Sequence, residues 1–331
     1  MMPTTATPVT SRPVTLERIE SHLPGRPIRI DELGERLQLR PTEVAVFRKI
    51  YGLDQLHYDP STGLFDLLLP AARRALTHLP AGASLRYLIY AHTVQTVAPP
   101  DTEPAQVLRQ SLGLRHTEAF ALNQQACVTS LSALELAGNL LRAEAQPGDY
   151  ALIVTGEQAF SPQVQLIPHS AIMAEGASAI LLTLGGDGDA IESLVTRTLG
   201  QFAQGLLMDN DEIRALGAAY ANSLAEVIRE AIDAAGLVPD EIELVIPHNV
   251  NLITWRQTIK VLGLDPARFF LENIEKLSHC YSSDVFLNYT TLADEGRLKP
   301  GRHYLFASVG LGATFGAAVF RTRGERNERD H

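Results

Sequence analysis

The sequence predicts an α/β protein built as two similar halves, and three observations carry that expectation. Short apolar runs of strand length alternate with longer segments of helical period. Several runs, such as Tyr150-Ala151-Leu152-Ile153-Val154-Thr155-Gly156, are apolar on both faces, as strands are in a parallel or mixed sheet covered by helices. The order strand–helix–strand occurs on both sides of a linker-like Gly185-Gly186-Asp187-Gly188-Asp189, although no repeat is visible in the sequence itself. With 331 residues, 45% of them hydrophobic and 20% charged, the chain has an ordinary globular composition and the length for a full core; disorder and collagen-like repeats are excluded.

Each element follows from local signals. Residues 85–91 read as a short buried strand, and 102–112 as a helix closed by Gly113. A second strand over 119–123 runs through Gln124-Gln125-Ala126-Cys127 into a small-residue helix over 128–143. Pro147-Gly148-Asp149 turns into the strand over 150–156, and residues 177–184 form another. Beyond the glycine-rich stretch, Ile213, Leu216, Tyr220, Leu224, Val227 and Ile228 recur at helical spacing. Gly236 ends that helix and Pro239 follows, as helix C-termini prefer. Glu243-Leu244-Val245-Ile246 is a strand that opens through Pro247-His248-Asn249 into a helix over 251–262. Strands over 304–308 and 313–321 close the chain, with Gly310-Leu311-Gly312 between them. The polar ends, residues 1–13 and 323–331, read as flexible tails.

Charge and cysteine usage narrow the partners. There are 28 Lys+Arg against 38 Asp+Glu, a net charge of −10, so phosphate is repelled and nucleic acid is not an expected partner. Cys127 and Cys280 alone make neither a disulfide framework nor a thiolate zinc site, and no metal is expected. The N-terminus has no apolar signal region and no run of 18 apolar residues occurs, which leads to the expectation of a cytoplasmic protein, neither secreted nor in the membrane.

Four groups could carry chemistry. Cys127 sits where a strand hands over to a helix, so backbone N–H groups and the helix dipole favour a thiolate there; the plainer reading is an inert packed thiol. His248 sits at what reads as the matching junction of the second half, where a neutral imidazole suits a general base, or else a cap or core histidine. Asp284, in Ser278-His279-Cys280-Tyr281-Ser282-Ser283-Asp284, reads on its own as a helix cap. Gly310-Leu311-Gly312 could offer oxyanion donors or merely turn a strand. No G-x-S-x-G elbow, P-loop or H-E-x-x-H is present.

Ala126-Cys127 before a small-residue helix, Glu175-Gly176-Ala177-Ser178-Ala179, Pro247-His248-Asn249-Val250-Asn251 and the ending Gly296-Arg297-Leu298-Lys299-Pro300-Gly301…Val309-Gly310-Leu311-Gly312-Ala313-Thr314-Phe315-Gly316 occur in that order over residues 14–322. This set resembles the thiolase superfamily, most closely the ketoacyl-ACP synthase III type. The resemblance implies a five-layered α-β-α-β-α duplication and a homodimer. Its N-terminal half, 14–186, would bear the nucleophilic cysteine, and its C-terminal half, 187–322, the His and the Asp.

The sequence departs from the condensing members of that family in two places. Their Cys-His-Asn set draws its Asn from a G-N-T-S-A motif that is absent here. The region instead reads Ser278-His279, then Asp284, and is similar to the G-H-x-x-x-x-D of synthase III-like acyltransferases from natural-product pathways. Counting back from Gly296 without gaps puts His279 at the Asn position. The Trp and Arg that the family's coenzyme A clamp leads one to expect near Arg48–Gly52 are not evident, and Ile253 stands where an arginine is usual. The resemblance therefore implies an acyltransferase of secondary-metabolite, antibiotic-type biosynthesis. Cys127 would take an acyl group from a CoA or carrier-protein thioester, with the Leu311 and Gly312 N–H groups around the oxyanion. His248, oriented by Asp284, would activate a hydroxyl or amine of a small-molecule acceptor, and His279 would only pack behind them. Acyl-CoA or acyl-phosphopantetheine would be substrate rather than cofactor, and an acyl carrier protein a partner. The alternatives are a decarboxylating 3-oxoacyl-ACP synthase III, with His279 replacing Asn, and a catalytically silent subunit of a heterodimer.

Overall fold

The computed structural model describes residues 12–144 and 146–323, so most of the two expected tails lies outside the described residues. Nine strands make the main sheet: β1 (Val14–His22), β2 (Leu85–Ala91), β3 (Glu118–Leu122), β4 (Tyr150–Glu157), β5 (Gly176–Leu184), β6 (Asp189–Thr198), β7 (Ile242–Pro247), β8 (His303–Gly310) and β9 (Thr314–Arg321). Their order is β7-β8-β9-β6-β1-β5-β4-β2-β3. Only Thr15–Ala190 and Leu16–Asp189 join β1 to β6, so the sheet is two sheets meeting at a narrow seam.

Strand directions expose the duplication that the sequence conceals. In the first half β2 runs parallel to β3 and β4, while β5 is antiparallel to β4 and β1. In the second half β7 runs parallel to β8, while β9 is antiparallel to β8 and β6. The counterpart of β3 is reduced to a single parallel bridge between Val245 and Phe269.

Helices fill three layers. α1 (Leu64–Leu76) and α2 (Pro104–Ser111) cover the outer face of the first half, Leu67, Leu68 and Leu108 packing with Leu88 and Leu181. α4 (Asn210–Ala234) and α5 (Leu252–Leu262) cover the second, Leu224, Ile228 and Trp255 packing with Leu305 and Val319. Between the sheets lie α3 (Thr129–Glu144) and α6 (Asp284–Asp294), where Leu131, Leu134, Phe286 and Leu292 share one cluster with Ile153 and Phe306. The result is the five-layered α-β-α-β-α duplication.

Local chemistry sets the boundaries. Asp209 accepts from the Asp211 and Glu212 backbone N–H groups while Glu212 accepts from the Asp209 N–H, a reciprocal cap that starts α4. Asn251 caps α5 through the Thr254 N–H, and Gly263, at φ 70°, ends it in the left-handed conformation. No helix among the described residues is long and apolar enough to cross a membrane.

Three expectations are corrected. Residues 185–188 turn between β5 and β6, both of which pair with β1, and Asp189 already belongs to β6, so the stretch is no linker. Asp284 is the first residue of α6 rather than its cap. Finally, His248 does not match Cys127 in the duplication. His248 follows β7, the counterpart of β2, so its equivalent is His92; the helix equivalent to α3 is α6, which places Asp284 opposite the cysteine's junction.

Candidate active site

Cys127 lies in a 3₁₀ turn, Ala126–Val128, that winds directly into α3. The backbone around it is held in sparsely populated conformations. Ala126 has φ 49°, and Ser278 (φ 54°) and Tyr281 (φ 52°) flank the facing segment. Ser308 Oγ donates to the Cys127 carbonyl at 2.9 Å, and Ser130 Oγ donates to the Ser282 carbonyl at 2.6 Å, which ties the two halves together at the site. A Cβ on Gly310 would stand 2.0 Å from the Gln125 carbonyl oxygen; only glycine lets the end of β8 approach the cysteine loop.

Cys127 Sγ lies 3.3 Å from Nε2 of His279, and His279 Nδ1 lies 2.5 Å from Oδ2 of Asp284. The same carboxylate accepts the backbone N–H groups of Cys280 and Asn249, each at 2.6 Å, so three donors fix its orientation. With the Nδ1 proton directed at the carboxylate, the neutral ring presents Nε2 as an acceptor to the thiol. Burial would drive this imidazole down, but the charges of Asp284 and Cys127 and the hydrogen bonds to both hold it well above the usual histidine value.

The expected pairing of His248 with Asp284 is not found. His248 is buried, and its Nε2 meets the Tyr220 hydroxyl at 3.2 Å. Its carbonyl accepts Trp255 Nε1–H at 2.8 Å, and its Nδ1 has no partner among the described residues. The ring centroid is 5.7 Å from that of His279. Burial, and then the charge of His279, push it well below the ordinary value, so it is held neutral. His279, expected merely to pack, is the ring between cysteine and carboxylate. The physical reason is the positive-φ kink at Ser278, which turns the 279–284 segment back so that Asp284 reaches a residue five positions earlier.

One buried acid escaped the sequence analysis. Glu157, at the end of β4, is fully buried and accepts the Thr93 and Val94 backbone N–H groups, each at 2.6 Å. Burial raises its carboxyl to about 7 against the pull of those donors and of His279. Thr93 Oγ1 in turn lies 4.0 Å from Cys127 Sγ. An acidic residue directly after an all-apolar strand was the available signal. The second cysteine, Cys280, is fully buried, and burial followed by the charges of Asp284 and Glu175 pushes its thiol well up.

A cavity of ≈ 560 Å³ opens over Cys127; Leu311 and Gly312 line it, as do Gly205, Leu206 and Leu207. Another hollow, ≈ 500 Å³ beside Asp31, Arg48 and Lys49, shares no residue with it and is lined by no cysteine, serine or threonine. Among the described residues no three His, Cys, Asp or Glu side chains converge as a metal site.

The fold is shared with solved proteins of the 3-oxoacyl-ACP synthase III type, and the last part of the chain carries that family's sequence signature. Residues 232–322 match the family model described as 3-oxoacyl-[acyl-carrier-protein] synthase III C terminal. The solved structures that this chain resembles include the acyltransferase ChlB3, at 22% identity and a TM-score of 0.82, covering 94% of this chain and 98% of that one. FabH, the 3-oxoacyl-(acyl carrier protein) synthase III of Pseudomonas aeruginosa PAO1, aligns at 21% identity and a TM-score of 0.78, covering 95% of this chain and 100% of that one. OleA of Xanthomonas campestris, solved with lauric acid and lauroyl-CoA, aligns at 19% identity and a TM-score of 0.78, covering 94% and 99%.

Proposed function

We propose that the protein is an acyltransferase working through a Cys127 acyl-enzyme, with His279 rather than His248 as its base. The observation that carries this reading is the unbroken line from Cys127 Sγ through His279 to the Asp284 carboxylate. In the first half-reaction Cys127 Sγ attacks the thioester carbonyl of the donor, and its proton passes to His279 Nε2 and on to the departing thiol. In the second, the acceptor hydroxyl or amine gives its proton to His279 as it attacks the acyl carbon, and Cys127 leaves as the thiolate, which His279 reprotonates. Asp284 fixes the tautomer and balances the imidazolium formed in each half. The backbone N–H groups of Cys127, Leu311 and Gly312 are the proposed oxyanion donors.

Condensation with loss of carbon dioxide is the poorer fit. It needs neutral donors around an enolate, whereas Asp284 puts a carboxylate 2.5 Å from the ring that would stabilise it. CoA or a carrier protein as donor, a small-molecule acceptor, a homodimeric state and a role in secondary metabolism belong to the same proposal. The test is incubation with acyl thioesters and a nucleophile panel. Mass added to the Cys127 peptide and then passed to an acceptor supports the reading. Carbon dioxide release from a malonyl thioester with a β-ketoacyl product overturns it.

A further inference from the structure

The cavity over Cys127 is lined, among the described residues, by no Lys, Arg, Asp, Glu or His. Its polar character comes from amides and hydroxyls. The side-chain amides of Gln95, Gln125, Gln163 and Gln204 face it and make no hydrogen bond to any described residue. Among the described residues, the ring beside the sulfur that can take up a positive charge is His279, and Asp284 at 2.5 Å already matches it. Behind the Thr93–Val94 wall stands a further carboxyl, Glu157.

A carboxylate carried into such a cavity loses its hydration and gains no counter-charge, whereas a neutral acyl chain with a carbonyl, amide or hydroxyl finds donors and acceptors waiting. We infer that the site selects uncharged acyl groups able to hydrogen-bond, and discriminates against short dicarboxylic donors of the malonyl or succinyl kind. As a statement about donors this rests on the acyl-transfer reading; as a statement about the cavity it does not.

Iodoacetamide and iodoacetate are matched probes, equal in size and differing in charge. Each forms one S–C bond to the cysteine as its C–I bond breaks and iodide leaves. The rate of each is measured by mass on the Cys127 peptide and divided by its rate with glutathione. The normalised preference for iodoacetamide is expected to reach about tenfold or more, the scale of burying an unpaired charge at a partly open site. Gln163→Lys or Gln204→Lys, either of which puts a cation into the lining, should bring that ratio back toward one. A wild-type ratio of one or below, failure of both reagents to reach Cys127, or an unchanged ratio in both folded variants overturns the inference. If the ratio behaves as expected but no neutral thioester acylates Cys127, the cavity's selectivity stands and the acyl-transfer reading falls.

Discussion

His279 and His248 lie 5.7 Å apart, both almost fully buried, and the protein drives them in opposite directions. Desolvation acts on both. The difference is a partner: His279 has a carboxylate on one nitrogen and a thiol on the other, and His248 has a tyrosine hydroxyl on one nitrogen and, among the described residues, no partner on the other. Burial alone makes a neutral, inert imidazole; burial beside a fixed negative charge makes one that can hold a proton. The two junctions differ in the same sense. The first half supplies a nucleophile at the start of α3, and the second supplies the pair that activates it at the start of α6.

The largest effects should come from the line of three. Cys127→Ala should abolish the acyl adduct altogether. Asp284→Asn keeps the shape but loses the charge, and acceptor turnover should fall by up to about 10⁴-fold, the loss a serine-protease triad shows on that change. Steady-state kinetics on a folded variant check this, and a loss below tenfold would detach Asp284 from the chemistry.

The next measurement sets the two histidines directly against each other. His279→Ala should lower turnover by roughly 10²–10⁴-fold, whereas His248→Gln should cost less than about tenfold. The reverse order would restore His248 as the base.

Their pH signatures should also oppose. His279 holds its proton more tightly in the fold than in the unfolded chain, so its contribution to stability is complete below about pH 6.5 and is lost as pH rises through its raised value. His248 binds its proton more weakly in the fold, so it withdraws stability as pH falls below about 6.5. Thermal unfolding from pH 5 to 8 should therefore show a shallower acid-side loss in His248→Gln, and His279→Gln should not reproduce it.

Glu157 sharpens the picture from behind the wall. Its carboxyl, raised to about 7, keeps a proton in the fold that the unfolded chain has already released, so stability falls as pH rises from about 4.5 to 7. Glu157→Gln should remove that slope, roughly 3 kcal/mol across the window. An unchanged slope in denaturant titrations would show that another group carries it. The smallest effect belongs to Tyr220→Phe, which deletes one hydrogen bond to His248 and should cost about 1 kcal/mol of stability with turnover nearly intact.

The sequence by itself determined the α/β class, most of the strands and helices beyond residue 84, and the prominence of Cys127, His248, His279 and Asp284. Those depend on local patterns: apolar runs, helical spacing, caps, and short motifs. Strands β1 and β6 escaped it because each alternates charged and apolar residues irregularly across a bulge, and α1 because Pro70 interrupts its pattern. The pairing of the chemical groups was decided only by tertiary structure. Cys127 and His279 are 152 residues apart, and which histidine met the carboxylate turned on the equivalence of α3 with α6 and on a positive-φ kink at Ser278. Neither is written in residue spacing, because contacts across a duplicated fold are fixed by how the two sheets stack on the central helices rather than by distance along the chain.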